Sequence, residues 1–271
     1  MRVLVTGHKG FIGKNMLQYL EDNTDWYVDT FEWDDGNMPS LMEQDWVIHI
    51  GAISATTERD IDKVLRQNYD FTRQVFNACK TYGVNLQYSS SASLYGMNQV
   101  FTEDAQLDPI TPYAWSKYLC ERFHNMNQSG NIVQGFRYFN VYGDHEEHKG
   151  SQASPVTQFR NQSKKDGRIR LFENSENYRR DFICVTDICR IHVEFIKKVK
   201  ESGVFNVGTG IARSFQEVAD LINSNQEYIA MPETLKRSYQ QYTCSDNTKL
   251  ERVLGPQKWI TIEEFLNSSN R

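Results

Sequence analysis

The pattern of apolar and polar residues predicts that the chain opens with a buried strand, a turn and a helix. Arg2 to Gly7 (RVLVTG) is an apolar run closed by glycine, and Lys14 to Glu21 has a helical pattern. The next strand, WYVDTFEW, carries Glu32, and about a dozen residues separate Glu32 from the strand DWVIHIGA, Asp45 to Ala52. A βαβ crossover needs a dozen or more residues, so we expect a trimmed segment here instead of a full third strand and helix.

Strands and helices continue to alternate along the chain. Apolar residues at helical spacing form a core-facing stripe from about Asp60 to Tyr82, and the strand NLQYSSSASLYG follows. Val185 to Val199 is predicted as a helix, and Ser214 to Glu217 (SFQE) as a capping box that begins another helix. This order is typical of an α/β protein with a doubly wound parallel (Rossmann) sheet, and we expect a smaller C-terminal lobe beside it.

Composition and charge exclude several classes of partner. The 271 residues carry a formal net charge of -5 and no Lys/Arg run long enough to bind a polyanion, so we expect no nucleic acid partner. The longest mainly apolar run, Trp46 to Ile53, is too short to span a bilayer, and the N-terminus has no signal-peptide pattern. Five scattered cysteines without a CxxC motif predict reduced thiols in a cytoplasmic protein that needs no membrane. No metal site is predicted.

A glycine-containing turn joins the first strand to the first helix. Gly7, Gly10 and Gly13 in TGHKGFIG are three residues apart. In this context the absent Cβ atoms allow a diphosphate to approach the backbone at a helix N-terminus. Alone, the spacing fits an ordinary turn equally well.

Glu32 strengthens the prediction of a dinucleotide site. A carboxylate about 25 positions after the first glycine can accept hydrogen bonds from an adenosine ribose, although it also fits an exposed strand-end charge. Because a carboxylate repels a 2′-phosphate, NAD is favoured over NADP, while Lys9 could reach such a phosphate from the glycine turn. The segment GAIS, with Gly51, Ala52 and Ile53, ends a strand where the coenzyme would pass.

The segment PYAWSK places Tyr113 and Lys117 on one face of a predicted helix that begins near Pro112. A phenol has a pKa of about 10, so a base useful near neutrality needs roughly 4 kcal/mol of phenolate stabilisation. One exposed ion pair gives only about 0–1 kcal/mol. A lysine and an oxidised nicotinamide in a partly dry cleft could together supply this stabilisation of the phenolate. The alternative interpretation of the spacing is that Tyr113 and Lys117 only lie on the polar face of an amphipathic surface helix. Serines up to Ser91 end the preceding strand, where a parallel sheet faces its ligand crevice.

The GxxGxxG turn, Ser91 and the Tyr113-x-x-x-Lys117 pair, in this order, resemble the extended short-chain dehydrogenase/reductase family. In that family the serine orients a substrate hydroxyl, the tyrosine is the acid/base, and the lysine holds the nicotinamide ribose. The resemblance therefore implies a nicotinamide coenzyme, NAD or NADP, and catalytic roles for Ser91, Tyr113 and Lys117.

Several later segments resemble the nucleotide-sugar epimerases of this family that act on ADP-glyceromanno-heptose at C6. They are GAISATTE (51–58), GFRYFNVYG (135–143), HKGSQAS (148–154), LFENSENYRRDF (171–182), VFNVGTG (204–210) and LKRSYQQYT (235–243). The resemblance implies inversion by transient oxidation to a ketone and hydride return, with Lys149 as a second catalytic base. The implied coenzyme contacts are Gly7, Gly10, Phe11, Ile12, Gly13, Glu32, Gly51, Ala52, Ile53, Asn68, Tyr113, Lys117 and Val141. The implied contacts with a nucleotide-diphosphate sugar are Ser91, Asn140, Ser151, Phe172, Glu173, Asn174, Ser175, Arg180 and Tyr239.

Three other functions remain open at this point. A UDP-hexose 4-epimerase shares the core motifs but needs no second base such as Lys149. A 4,6-dehydratase needs an acid pair where Ala92 and Ser93 stand, and a non-catalytic dinucleotide sensor tends to lose the tyrosine or lysine. The loop 144–147 also departs from the usual proline and basic residue of the heptose enzymes.

The resemblance also predicts how the chain is divided. Residues 1–141 and 182–210 would form the dinucleotide-binding domain. Residues 142–181 and 211–271 would form the nucleotide-sugar-binding lobe, with the substrate between the two. Members of the family are homo-oligomers, so we expect one here.

Overall fold

A six-stranded parallel sheet forms the larger part of the computed structural model, which describes residues 1–51, 53–233 and 239–268. Its strands are β1 (Arg2–Thr6), β2 (Tyr27–Phe31), β3 (Trp46–His49), β4 (Asn85–Ser91), β5 (Val133–Tyr138) and β9 (Gly203–Val207). They lie in the order β2-β1-β3-β4-β5-β9, and every neighbouring pair is parallel. The chain moves from β1 to β2 and then returns to the far side of β1, so the direction of winding reverses between β1 and β3. Sheets of this kind bind ligands at such a reversal.

Helices cover both faces of this sheet. They are α1 (Phe11–Asn23), α2 (Ile61–Val64), α3 (Phe71–Tyr82), α4 (Pro112–Met126) and α6 (Val185–Lys198), and a π-helical segment (Leu65–Asp70) joins α2 to α3. Val75 and Cys120 pack with Leu86 on one face, whereas Met16 and Val193 pack with residues of β1 and β3 on the other. Two apolar layers on opposite faces confirm the predicted doubly wound α/β fold.

The trimmed segment after β2 is also confirmed. Residues 32–45 contain turns but neither strand nor helix, and β2 is left as an edge strand. The chain passes directly to β3 on the other side of β1.

A smaller lobe is built on two short sheets. Strands β6 (Asn140–Tyr142), β8 (Arg179–Cys184) and β10 (Ala212–Ser214) form one sheet, and β7 (Ile169–Phe172) pairs with β11 (Gln226–Ile229) in the other. Its helices are α5 (Pro155–Asp166), α7 (Phe215–Ile222) and α9 (Ile262–Ser268). They share a core that includes Tyr142, Phe159, Leu171, Val218 and Phe265. The predicted capping box begins α7: the Ser214 hydroxyl accepts from the Glu217 amide at 3.0 Å, and the Glu217 carboxylate accepts from the Ser214 amide at 3.0 Å.

One segment of the predicted lobe packs elsewhere. Helix α8 (Thr248–Leu254) lies against the large sheet, because Leu250 packs with Phe136 and Phe205. The rest of the predicted division into two domains stays a prediction.

Two expectations from composition concern cysteines and membranes. All five cysteines are free thiols. In the described part of the chain, no helix combines the length and apolar character needed to cross a bilayer.

Candidate active site

The glycine turn between β1 and α1 packs directly against the end of β3. Gly7 has a φ of 78°, and a Cβ atom there would lie 2.4 Å from the backbone of Gly51. A Cβ atom on Gly13 would lie 2.0 Å from the carbonyl oxygen of Gly7. Side chains at these two positions would therefore force the turn, strand and helix apart, which explains the spacing seen in the sequence.

A cleft of about 510 Å³ opens at this turn. Eight of the predicted coenzyme residues line it: Gly7, Gly10, Phe11, Ile12, Gly13, Glu32, Gly51 and Ile53. Ala52 lies outside the described residues. Val141, like Ile12, packs against the apolar cluster that contains Phe136 and Ile183. The cleft lies where the strand order reverses, with α1 pointing its N-terminus into it, and this arrangement suits a diphosphate.

Glu32 lies at the end of the cleft beside the glycine turn. Its side chain is nearly buried, and Oε1 accepts a hydrogen bond from the Lys9 amide at 2.8 Å and lies 3.2 Å from His8 Nδ1. The Lys9 ammonium lies 3.3 Å from the Asp35 carboxylate. Glu32 lines the cleft and Lys9 is paired with Asp35, an arrangement that suits a ribose better than a 2′-phosphate.

Three predicted catalytic residues lie at the carboxyl end of β4, namely Ser91, Tyr113 and Lys117. Thr111 caps helix α4, accepting a hydrogen bond from the Ala114 amide at 3.1 Å, and the Pro112 ring occupies the first turn. The buried Tyr113 phenol shares a hydrogen bond with the Ser91 hydroxyl. Lys117, also buried, donates from Nζ to the Ser89 carbonyl oxygen at 2.9 Å and to the Ser89 hydroxyl at 3.0 Å.

The electrostatics of Tyr113 differ from the sequence-based expectation. Burial raises the pKa of the phenol, and the hydrogen bond with Ser91 opposes this only in part. Burial likewise lowers the pKa of Lys117. A buried phenolate loses its hydration, and the Lys117 ammonium is directed at Ser89, so the protein groups alone do not make Tyr113 acidic. A bound cation such as an oxidised nicotinamide would lower the pKa of the phenol.

Asn68 lies on the π-helical segment and is fully buried. Its Oδ1 accepts from the Ile53 amide at 2.9 Å, and its Nδ2 donates to the Ile53 carbonyl oxygen at 3.0 Å and to Ser116 Oγ at 2.9 Å. The Ser116 hydroxyl in turn donates to the Tyr113 carbonyl oxygen at 2.7 Å. Asn68, which was predicted as a coenzyme contact, thus links Ile53 in the cleft wall to Ser116 on helix α4. Our sequence reasoning missed Ser116, although its place between Tyr113 and Lys117 was a usable signal.

Lys149 lies in the same cleft as the glycine turn. It is half-buried on a short 3₁₀ segment (Glu147–Gln152), and its Nζ lies 5.0 Å from the centre of the Phe11 ring. Burial lowers the pKa of Lys149, and Glu146 opposes this. A lysine in such surroundings can act as a base more readily than a solvated one.

A second pocket, of about 310 Å³, lies in the smaller lobe. Three predicted substrate residues line it, namely Phe172, Ser175 and Tyr239, together with Tyr178 and Phe215. The Tyr239 ring meets those of Phe172 and Tyr178 edge-on, with ring centres 6.3 Å and 5.1 Å apart. Aromatic walls with a few polar groups are typical of a pocket for a planar ring such as a nucleobase.

Arg180 lies beside this pocket. The residue is 7% exposed, and its guanidinium carbon lies 5.2 Å from the Tyr239 ring centre and 5.5 Å from that of Phe215. It donates to the carbonyl oxygens of Arg179 and Gln240, and no carboxylate among the described residues pairs with it. Burial lowers its pKa. Arg179, by contrast, pairs with Glu217 at 2.9 Å, so of these two arginines Arg180 is the buried cation that an anion would neutralise.

The remaining predicted substrate residues are more dispersed. Asn140 is half-buried, with Nδ2 3.4 Å from the Asp181 carbonyl oxygen. Ser151, Glu173 and Asn174 are exposed, and Asn174 has a φ of 61°. Residues 235–238, part of the predicted segment LKRSYQQYT, lie outside the described residues.

Comparison with known proteins decides the family. Residues 3–208 match the sequence profile of the NAD dependent epimerase/dehydratase family. The chain belongs to this family. Its coenzyme is therefore a nicotinamide dinucleotide, and the matched region covers the six strands of the large sheet except for Arg2.

Individual members of the family are similar over nearly the whole chain. An ADP-L-glycero-D-manno-heptose-6-epimerase of Brachyspira hyodysenteriae is 35% identical over 94% of this chain and 92% of its own length. The crystal structure of an ADP-L-glycero-D-manno-heptose-6-epimerase of Helicobacter pylori has a TM-score of 0.87 and 24% identity, over 98% of this chain and 94% of its own. A UDP-glucose 4-epimerase of Thermotoga maritima, with UDP-glucose, has a TM-score of 0.83 and 24% identity, over 98% and 96%. The fold is thus shared by epimerases of different substrates.

Proposed function

We propose that this protein is a nucleotide-sugar epimerase that inverts C6 of an ADP-heptose with a nicotinamide coenzyme. The observation that carries the proposal is a second candidate base, Lys149, which lines the coenzyme cleft and is separate from Tyr113 at the end of β4. Tyr113 lies with Ser91 at the end of β4, and Lys149 lies over Phe11 at the glycine turn. A sequence relative of the same named activity, 35% identical over nearly the full chain, supports the substrate.

The chain's own residues would divide the work between binding and proton transfer. Ser91 would hold the reacting hydroxyl against Tyr113, which takes its proton in one orientation of the sugar. Lys149 would give a proton to the carbonyl oxygen in the other orientation. The bound nicotinamide supplies reversible hydride transfer to and from the sugar carbon. Because a carbinol C–H is too weakly acidic for direct proton abstraction, inversion needs this redox route.

The nucleotide half of the substrate would lie in the smaller lobe. The guanidinium of Arg180 matches the geometry of diphosphate oxygens and is otherwise unpaired by acid among the described residues. The base would enter the pocket formed by Phe172, Tyr178 and Tyr239. This arrangement would place the sugar between the lobe and the large sheet.

We favour NAD over NADP as the coenzyme. The Glu32 carboxylate lies in the cleft, and Lys9, the cation that could hold a 2′-phosphate, is paired with Asp35. We also keep as predictions a cytoplasmic location, a homo-oligomeric state and the division of the chain into two domains.

The deciding experiment follows epimer ratios by NMR with purified protein and NAD⁺. We expect ADP-heptose to be converted between its C6 epimers and UDP-glucose to be left unchanged. Conversion of UDP-glucose instead would favour a UDP-hexose 4-epimerase, which needs no second base. Coenzyme binding without turnover of either compound would favour a non-catalytic sensor.

A further inference from the structure

A single buried carboxylate anchors the loop that carries Lys149. Most of the loop 144–153 is exposed, yet Glu146 is 1% exposed. Burying a carboxylate is unfavourable unless hydrogen bonds replace its hydration. Glu146 receives four: from the Gly143 amide at 3.1 Å, the Ser154 amide at 2.5 Å, the Ser154 hydroxyl at 2.7 Å and the Thr157 hydroxyl at 2.9 Å.

These four donors come from both ends of the loop. Gly143 directly follows β6, whereas Ser154 and Thr157 form the cap and first turn of α5. The positive end of the α5 dipole also favours an anion at this place. One side chain therefore closes the loop between the smaller lobe's sheet and its first helix.

The anchored loop docks onto helix α1. Asn15 Nδ2 donates to the Asp144 carbonyl oxygen at 2.8 Å, and the Lys149 amide donates to the Glu146 carbonyl oxygen at 2.9 Å. Lys149 thus follows its anchor by one turn, and its Nζ lies over the Phe11 ring.

We propose that Glu146 is a positioning residue that pins both ends of the loop 143–154 and so holds Lys149 in the coenzyme cleft. The effect on turnover rests on the proposed function, because it assumes that Lys149 transfers a proton. The effect on the position of Lys149 does not rest on it. Glu147, the next residue, is an exposed carboxylate on the same loop and provides a matched control.

The first test measures where Lys149 is, independently of any turnover. An amine-reactive reagent labels the protein with and without NAD⁺, and mass spectrometry gives the labelling rate of each lysine. At a coenzyme concentration of about ten times Kd, we expect NAD⁺ to slow labelling of Lys149 about 11-fold in the wild type and in Glu147→Gln. In Glu146→Gln this protection should fall below about twofold. Lys14, exposed on α1, serves as the internal reference.

The second test separates positioning from general stability. We expect Glu146→Gln to lower turnover of the nucleotide sugar by about 100-fold, as for a displaced catalytic group, and to change Kd for NAD⁺ by less than about threefold. The labelling of other lysines should stay close to wild type, even though the lost hydrogen bonds lower the thermal midpoint. A general structural role would instead change all of these together.

Each outcome bears on one proposal. Wild-type protection of Lys149 in Glu146→Gln, or no protection in the wild type, overturns the positioning role. If the protection pattern holds but no nucleotide sugar is turned over, the proposed function alone fails. Should Glu146→Gln not fold, Thr157→Val removes one of the four donors and keeps the charge. In Thr157→Val, NAD⁺ should protect Lys149 from labelling less than it does in the wild type. Wild-type protection of Lys149 in Thr157→Val would count against the proposal.

Discussion

The side-chain amide of Asn68 bonds both backbone polar groups of Ile53, at 2.9 Å and 3.0 Å, and also reaches the Ser116 hydroxyl. The π-helical segment that carries Asn68 therefore connects the wall of the coenzyme cleft to the helix that carries Tyr113 and Lys117. π-Helical turns are often found at functional sites. Local order at the coenzyme site and at the catalytic site is coupled through this one buried amide.

Asn68→Ala should weaken both folding and coenzyme binding. It removes the side-chain partners of both part-buried backbone groups of Ile53, at up to about 1–3 kcal/mol each. We expect a lower free energy of unfolding by denaturant and roughly tenfold weaker NAD⁺ binding. Trp33, which lines the cleft, gives a fluorescence signal for the titration. Ser116→Ala removes only the hydroxyl that accepts from Asn68 and should lower the free energy of unfolding by about 1 kcal/mol. Unchanged NAD⁺ affinity in Asn68→Ala would contradict the coupling.

Tyr113→Phe should abolish most turnover and spare the coenzyme. It removes the hydroxyl that shares a hydrogen bond with Ser91, and a positioned acid/base contributes roughly 10²–10⁴-fold. We expect that loss in epimerisation rate, with Kd for NAD⁺ changed by less than about threefold. Tyr118→Phe, on the same helix, serves as the control and should keep its activity. Full activity in Tyr113→Phe would exclude the assigned role.

Arg180 and Arg179 make a matched pair for testing the diphosphate site. Arg180→Gln should weaken binding of ADP by about 10- to 100-fold, because charge-assisted hydrogen bonds contribute about 1.5–3 kcal/mol. Arg179→Gln breaks a part-exposed ion pair with Glu217 and should change ADP binding by less than about fivefold. Calorimetry with ADP alone measures both. Equal effects of the two substitutions would show that Arg180 has no special part in diphosphate binding.

Three buried histidines should make the fold sensitive to acid. Burial lowers the pKa of His49 and of His192 to about 3, and that of His124 to about 4. The unfolded chain takes up these protons as pH falls through about 6.5, while the folded protein does not. Their contribution to stability is therefore complete above about pH 6.5 and is lost as pH falls toward the folded values.

The expected size of this effect is about 1.4 kcal/mol per pH unit for each histidine, or roughly 4 kcal/mol per unit near pH 5. Denaturant unfolding between about pH 7.5 and 4.5 would measure it. His124→Gln should reduce the slope by about one third. A flat stability curve down to about pH 5 would contradict the argument.

Local patterns were sufficient for much of the fold. The apolar run before Gly7, the capping box at Ser214 and the short path after Glu32 each depend on a few neighbouring residues, and the structure confirms the elements that they predict. Helix α8 lay beyond such local patterns, because Leu250 packs with Phe136 and Phe205 through contacts that no spacing reveals.

The sequence by itself determined the alternation of strands and helices, the glycine turn that needs no side chain, and the helical spacing that sets Tyr113 beside Lys117. Only the tertiary structure decided that Lys149 lies over Phe11, that Asn68 bonds Ile53 rather than facing the cleft, and that burial raises the pKa of Tyr113. Spacing along the chain fixes which side chains share a face of a strand or helix. Desolvation and hydrogen bonding depend on what packs against that face, and distant segments supply those groups only after folding.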